Sequence, residues 1–307
     1  MPSVRHPDVQ RLLAAQALNG ECPRWNVQER RLYWADMRAP SLHRLDPATG
    51  ENQAWSMPDW IGCYAFHADG GLVAALRGGF YHFDCSTGAL RRLADPPYDA
   101  QRFCFNDGGC DPAGRFLVGP LFAPRRADTR SGEAPVWRYD GRRWTPVTQP
   151  VAVSNGLAWS PDGRTLYHAD TRRKTIWARD YAPETAEVGP ARVFAEVEGG
   201  GAIGGPDGAA VDRDGFYLCA LFGEGCLLRF DPTGRLERRI PVPPRYPTMP
   251  AFGGDGLDRI FVTSASFPVP AHERASHPAD GALFVLEAPV PGLPPTSFQP
   301  LPERSSA

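Results

Sequence analysis

The 307-residue sequence contains one lysine, Lys174, although 33 of its residues are basic. Schiff-base chemistry would rest on that single amine, in the run Arg172-Arg173-Lys174, and is set aside. Neither sign of charge is in excess. The net charge is −2, which excludes the electrostatic footprint of a nucleic-acid or anionic-membrane binder. Long apolar runs are missing too, since Leu12 to Ala15 is far too short to span a bilayer. The opening stretch MPSVRHPDVQRLLAAQALNGE has no apolar signal-peptide core, so a cytoplasmic location is expected. The seven cysteines are odd in number and form no CxxC, which argues against a zinc knuckle or a disulfide framework. Buried thiols in a reducing compartment are expected instead. The seven histidines show no HxH or HxxxH spacing, against a histidine-zinc hydrolase. No GxSxG elbow is present, and Ser154 lacks the flanking glycines a serine esterase would need.

Proline (33) and glycine (32) are plentiful and spread along the whole chain, which implies many turns and many short strands. An internal repeat organises them. Six segments align over nine positions: ECPRWNVQE from Glu21, GCYAFHADG from Gly62, NDGGCDPAG from Asn106, NGLAWSPDG from Asn155, DGAAVDRDG from Asp207 and TMPAFGGDG from Thr248. The fifth position is always apolar, and the ninth is glycine in every segment but the first, where Glu29 stands. Each segment runs into a second β-rich stretch such as RLYWA, TLYHA or RIFVT. Strand, tight turn with a left-handed glycine, and second strand is the reading. Repeat starts lie 41, 44, 49, 52 and 41 residues apart, the period of a β-propeller blade. The expected fold is all-β, a six-bladed β-propeller with about four antiparallel strands per blade. It forms a single domain over residues 1–307, with an N-terminal extension to about residue 18 and a C-terminal tail from about 288.

The first strand of a propeller blade lines the central channel, so equivalent positions converge at one mouth. The first repeat position reads Glu21, Gly62, Asn106, Asn155, Asp207 and Thr248, five of them polar or acidic. A single such residue could be a strand cap or a turn former. Together they describe a ring of carboxylate and amide oxygens, the donor set of a hard cation. Two carboxylates and an amide leave positions open for water or substrate, as a catalytic metal requires. Ca²⁺, Mg²⁺ and Mn²⁺ suit such oxygens, and Zn²⁺ also accepts carboxylates. The glycine-rich EGGGAIGGPDG has no Lys-Ser/Thr after it, so it is not a phosphate loop. It lets the backbone pass close to the channel before Asp207.

GECPRW, NDGGCDPAGRFLVG, SNGLAWSPDGRTLYHADT, GGPDGAAVDRDG and RFDPTGRLERRIPVP followed by YPTMPAFGG carry a family resemblance. From about Gly20 to Phe284 the chain resembles the SMP-30/gluconolactonase/regucalcin-like family, propeller hydrolases that open sugar lactones with a divalent metal. The resemblance implies that Glu21, Asn155 and Asp207 ligate one divalent ion and that Asn106 contacts the substrate or a metal-bound water. Asp207 is then the expected catalytic base.

One departure from the family pattern concerns the arginine expected two residues before the Asn of its Asn-Asp motif. Cys104 stands there, with Arg102 nearby. Either Arg102 substitutes from another register, or the contact is absent. Cys104 is expected to point the same way as Asn106, with a core-packed thiol as the competing reading. The Arg- and Pro-rich connection from about 120 to 135 either covers one face of the propeller or is a solvated loop. Asp36 and Asp170, which follow LYWA and LYHA, are expected in turns. The expected activity is metal-dependent hydrolysis of a sugar aldonolactone by a monomer, without a nucleic-acid or membrane partner. Tyr64, Phe103 and Phe105 near the mouth keep open another ester or phosphotriester hydrolase, and a non-catalytic calcium-binding propeller is the third reading.

Overall fold

The computed structural model describes residues 8–125 and 132–300. Its strands form six antiparallel sheets that follow one another around a ring, a six-bladed β-propeller. The inner strands are Gly20–Asn26, Ile61–Phe66, Phe103–Cys110, Ser154–Trp159, Pro206–Val211 and Pro247–Gly253. Each touches the next, and the last packs back on the first, so they enclose the channel. Among the described residues the helical content is one 3-10 turn, Arg274–Ser276, and no helix is long and apolar enough to cross a membrane.

Each turn between the first two strands follows from the repeat. Gly70, Gly114, Gly163 and Gly215 have φ of 99°, 84°, 72° and 86°, the left-handed region open to a residue without Cβ. The sixth repeat differs from the expectation. There Gly254 (φ 86°) and Leu257 (φ 55°) turn the chain, while Gly256 does not have positive φ. In the first repeat Arg30 takes the left-handed position beside the exceptional Glu29.

Closure involves both ends of the chain. Gln10–Leu13, within the stretch read as an N-terminal extension, pairs with Leu283–Glu287 as the outer strand of the sixth blade. Phe298, in the stretch read as a tail, is 1% exposed and stacks on Tyr139 at 6.3 Å and against Phe80 at 6.1 Å. Burying such a ring contributes about 2–3 kcal/mol, enough to hold the segment on the body. The cysteines form no disulfides; six are buried and Cys85 is half-buried.

Candidate active site

Every inner strand carries a register break against its neighbour at the first repeat position: Glu21/Arg24, Ile61/Cys63, Phe105/Gly108, Asn155/Ala158, Pro206/Ala209 and Pro247/Met249. A bulge turns a side chain out of the sheet alternation, so six equivalent bulges aim one position of each repeat at the axis. Backbone conformation marks the same spot. Gly156, after Asn155, has φ 61°, and Cys22, after Glu21, takes φ 49° despite its Cβ.

Four of the six positions meet in one cavity. Glu21, Asn106, Asn155 and Asp207 line a space of about 510 Å³ at this mouth. The other two are committed to packing. A Cβ on Gly62 would lie 2.2 Å from the Phe105 carbonyl oxygen, so the second blade has room for glycine only. Thr248 is fully buried and donates its hydroxyl to the Gly20 carbonyl.

Hydrogen bonds fix the amides. Asn106 Nδ2 donates to the Ser154 carbonyl at 2.9 Å and to Asn155 Oδ1 at 2.9 Å. Asn155 Nδ2 donates to Thr171 Oγ1 at 2.7 Å, which donates in turn to the Pro206 carbonyl at 2.8 Å. This chain ties the third, fourth and fifth blades together and fixes both side-chain amides at the cavity.

The carboxylates lie in an enclosed, mutually repelling group. Enclosure holds the Glu21 carboxyl well above its usual range, and the charges of Asp207 and Asp107 push it further. Burial raises Asp207 likewise, with Asp107 adding to it. Asp107, which sequence reasoning left out, is itself pushed up to about 6 by burial. Its Oδ2 accepts the Leu157 N–H at 2.8 Å, while Oδ1 has no partner. Burying uncompensated negative charge is costly, and a cation held by Glu21 and Asp207 would relieve it. Among the described residues no three His, Cys, Asp or Glu are grouped to hold an ion. The donor set is instead two carboxylates completed by amide oxygen, and it fits a hard divalent cation with open positions.

The remaining walls mix apolar and cationic groups. Met37, Leu121, Val153, Phe222 and Phe267 line the cavity, and so do Arg38, Arg172 and Lys174. Lys174 Nζ donates to the carbonyls of Gly199 and Gly201 at 2.7 and 3.0 Å, which anchors the glycine-rich loop beside the cavity. A Cβ on Gly204 would meet the Phe222 carbonyl oxygen at 2.0 Å, so this loop passes close to the channel only as glycine. Arg38 and Arg172 occupy matching places, two residues after Asp36 and Asp170. Each of those aspartates caps its own turn, Asp36 accepting Arg38 N–H at 3.1 Å and Asp170 accepting Arg172 N–H at 3.0 Å. The matching stretches LYWADMR and LYHADTR were the signal in the sequence.

The other sequence candidates lie outside the cavity lining. Tyr64 is fully buried, its carbonyl accepting Arg24 Nε at 2.7 Å. Cys104 is also fully buried, its thiol 3.9 Å from the Leu121 carbonyl oxygen and pushed up to about 12 by burial. The structure places Cys104 in the packed wall, outside the cavity lining. The register break after Phe105 separates it from Asn106, so strand alternation does not carry both side chains to one place. The Arg102 guanidinium lies over the rings of Phe103 and Phe122 at 5.7 and 5.4 Å. Phe103 and Phe105 are buried, within an aromatic group that includes Tyr98. Ser154 Oγ is 2.9 Å from His168 Nε2, but both residues are fully buried away from the cavity lining. Of the 120–135 connection, Leu121 reaches the cavity and residues 126–131 lie outside the described residues.

Known proteins share this arrangement of chain. The family model described as the SMP-30/gluconolactonase/LRE-like region matches residues 19–266. A 6-deoxy-6-sulfogluconolactonase from Pseudomonas putida is 41% identical over 278 residues, covering 89% of this chain and 92% of that one. An L-arabinolactonase from Azospirillum brasilense is 31% identical, covering 97% and 98%. Among solved structures, the calcium-binding protein regucalcin from Agrobacterium tumefaciens superposes with a TM-score of 0.88 at 27% identity, covering 95% of this chain and 98% of that one. With the family model spanning most of its length and its repeats closing into the propeller described above, the chain belongs to the SMP-30/gluconolactonase/LRE-like family.

Proposed function

We propose that this protein is a sugar lactonase that hydrolyses an aldonolactone to its aldonic acid with the help of one divalent cation. The observation that carries the reading is the convergence of Glu21, Asn155, Asp207 and Asn106 in one cavity large enough for a monosaccharide. Relatives named as lactonases, including the 41% identical 6-deoxy-6-sulfogluconolactonase, support the substrate class. The name of that relative brings hexonolactones with a terminal sulfonate into the candidate set.

Glu21, Asn155 and Asp207 would hold the cation, whether Ca²⁺, Mg²⁺, Mn²⁺ or Zn²⁺. When bound, it supplies Lewis acidity to the lactone carbonyl and makes water more acidic. The chain's own groups do the rest. Asn106, fixed by its bonds to Ser154 and Asn155, offers an amide oxygen to a substrate hydroxyl. Asp207 accepts the proton of the attacking water as its oxygen bonds to the carbonyl carbon. The ring C–O bond then breaks, and the same proton passes to the departing alkoxide. Phe222, Phe267 and the glycine-rich loop line the cavity around the reacting groups.

The test is metal-stripped protein assayed on pentono- and hexonolactones while single cations are added back. Activity should return with one or more cations, and Asp207→Ala should lower kcat at least about 100-fold with the fold retained by circular dichroism. Full activity after chelation, or in the Asp207→Ala variant, refutes the assignment.

A further inference from the structure

The rim of the cavity carries more positive charge than a neutral sugar requires. Its lining contains two carboxylates, Glu21 and Asp207, against three cations, Arg38, Arg172 and Lys174. A divalent ion held by Glu21 and Asp207 would offset their charge, with Asp107 behind them, and leave Arg38 and Arg172 exposed at the rim beside Lys174. Lys174 has structural work, since it anchors the Gly199–Gly201 backbone. The two arginines have no such polar anchor. Neither guanidinium makes an ion pair or hydrogen bond with the described residues, although both backbones are fixed by the aspartate-capped turns.

Arg38 is the better prepared of the two. Its guanidinium stacks on the Phe267 ring at 3.9 Å and lies 5.1 Å from the Trp60 ring. Stacking occupies the flat faces and leaves the in-plane N–H donors unspent, the arrangement in which arginine takes an oxyanion through two parallel bonds. Arg172 sits at the equivalent turn of the fourth blade, across a six-bladed ring from the first. An arginine at the rim can receive charge placed at the end of a substrate whose reacting carbonyl lies at the axis.

Resting on the lactonase reading, we propose that the substrate is a lactone bearing an anionic group remote from the scissile ester, and that Arg38 is the residue that selects it. A sulfonate and a phosphate share the required chemistry of three acceptor oxygens and negative charge.

The experiment compares metal-loaded wild type, Arg38→Met and Arg38→Lys on three probes: gluconolactone, its 6-deoxy-6-sulfo analogue and its 6-phosphate. The wild type should prefer one of the anionic lactones by about tenfold or more in kcat/KM, a preference that weakens with added salt. The two anionic probes separate sulfonate from phosphate. Arg38→Met should lower kcat/KM on the preferred anionic lactone by about 10- to 100-fold, mostly through KM, and erase the preference over gluconolactone. Arg38→Lys should recover part of it. Equal rates of the wild type on neutral and anionic lactones overturn the proposal, as does an equal loss on all three probes in Arg38→Met. If no lactone were hydrolysed, the lactonase reading would fall, and calorimetry would still decide the anion contact. Binding of 6-deoxy-6-sulfogluconate should then exceed that of gluconate in the wild type and match it in Arg38→Met, and equal binding in the wild type would overturn the contact.

Discussion

His168 offers a direct measure of how the buried polar layer behind the site responds to pH. It is fully buried, its Nε2 lies 2.9 Å from Ser154 Oγ, and its Nδ1 has no partner. Burial, helped by the nearby Arg179 charge, pushes the imidazole down to about 3 from an ordinary 6.5. The unfolded chain therefore binds a proton that the folded one refuses between these two values. Stability from this residue is complete above pH 6.5 and is lost as pH falls toward 3. At pH 5, about 1.5 units below the ordinary value at about 1.4 kcal/mol per unit, the loss is about 2 kcal/mol. Glu21, Asp107 and Asp207 act in the opposite sense, because their raised folded values favour proton uptake by the native state. Comparison with His168→Gln cancels their contribution. Urea unfolding at pH 7.5 and pH 5 should show the wild type losing about 2 kcal/mol more than the variant across that interval. An equal change in both proteins refutes the assignment of a neutral, proton-refusing His168.

Gly62→Ala would place a Cβ 2.2 Å from the Phe105 carbonyl oxygen and 2.9 Å from the Asn106 amide nitrogen. It should cost about 1–3 kcal/mol by chemical denaturation and reduce lactonase turnover of the folded fraction, because the strand carrying Asn106 must shift. Unchanged stability and turnover would show that the blades are not in close contact there. Phe298→Ala should destabilise the fold by about 3–5 kcal/mol, since the ring is 1% exposed against Phe80 and Tyr139. A loss below about 1 kcal/mol in denaturant titration would mean that the C-terminal segment is not part of the core.

The repeat made the propeller legible, because turn chemistry and an apolar fifth position recur at blade spacing. It also put Glu21, Asn106, Asn155 and Asp207 at one register, and the structure places all four in one cavity. Other features depend on contacts that a repeat does not encode. The pairing of Gln10–Leu13 with Leu283–Glu287 joins segments some 270 residues apart, and QRLL has no pattern that names its partner. Asp107 was hidden because its equivalents are Cys22, Cys63, Gly156, Gly208 and Met249, a set with no common chemistry. Arg38 and Arg172 sit in turns, where charged residues are ordinary, and only the shared Asp-x-Arg after the second strand marks them. Tyr64 and Cys104 looked close to the mouth by numbering, but the bulges that redirect the first repeat position leave both in the packed walls.

A pseudo-symmetric ring makes an asymmetric site through the side chains allowed at one bulged position. Six-fold repetition supplies six inward-aimed positions, but Gly62 has no room for a side chain and Thr248 is spent holding the first blade to the sixth. The donors are thus confined to the first, third, fourth and fifth blades, with the Asn106–Asn155–Thr171 chain bracing the latter three. A ring with polar groups at all six places would surround an ion and close it off from chemistry. Gaps at the second and sixth blades, on either side of Glu21, leave places without a donor, as the proposed cation would need in order to meet a substrate as well. The same economy applies one turn outward, where Asp-capped loops of the first and fourth blades alone end in Arg38 and Arg172 at the cavity.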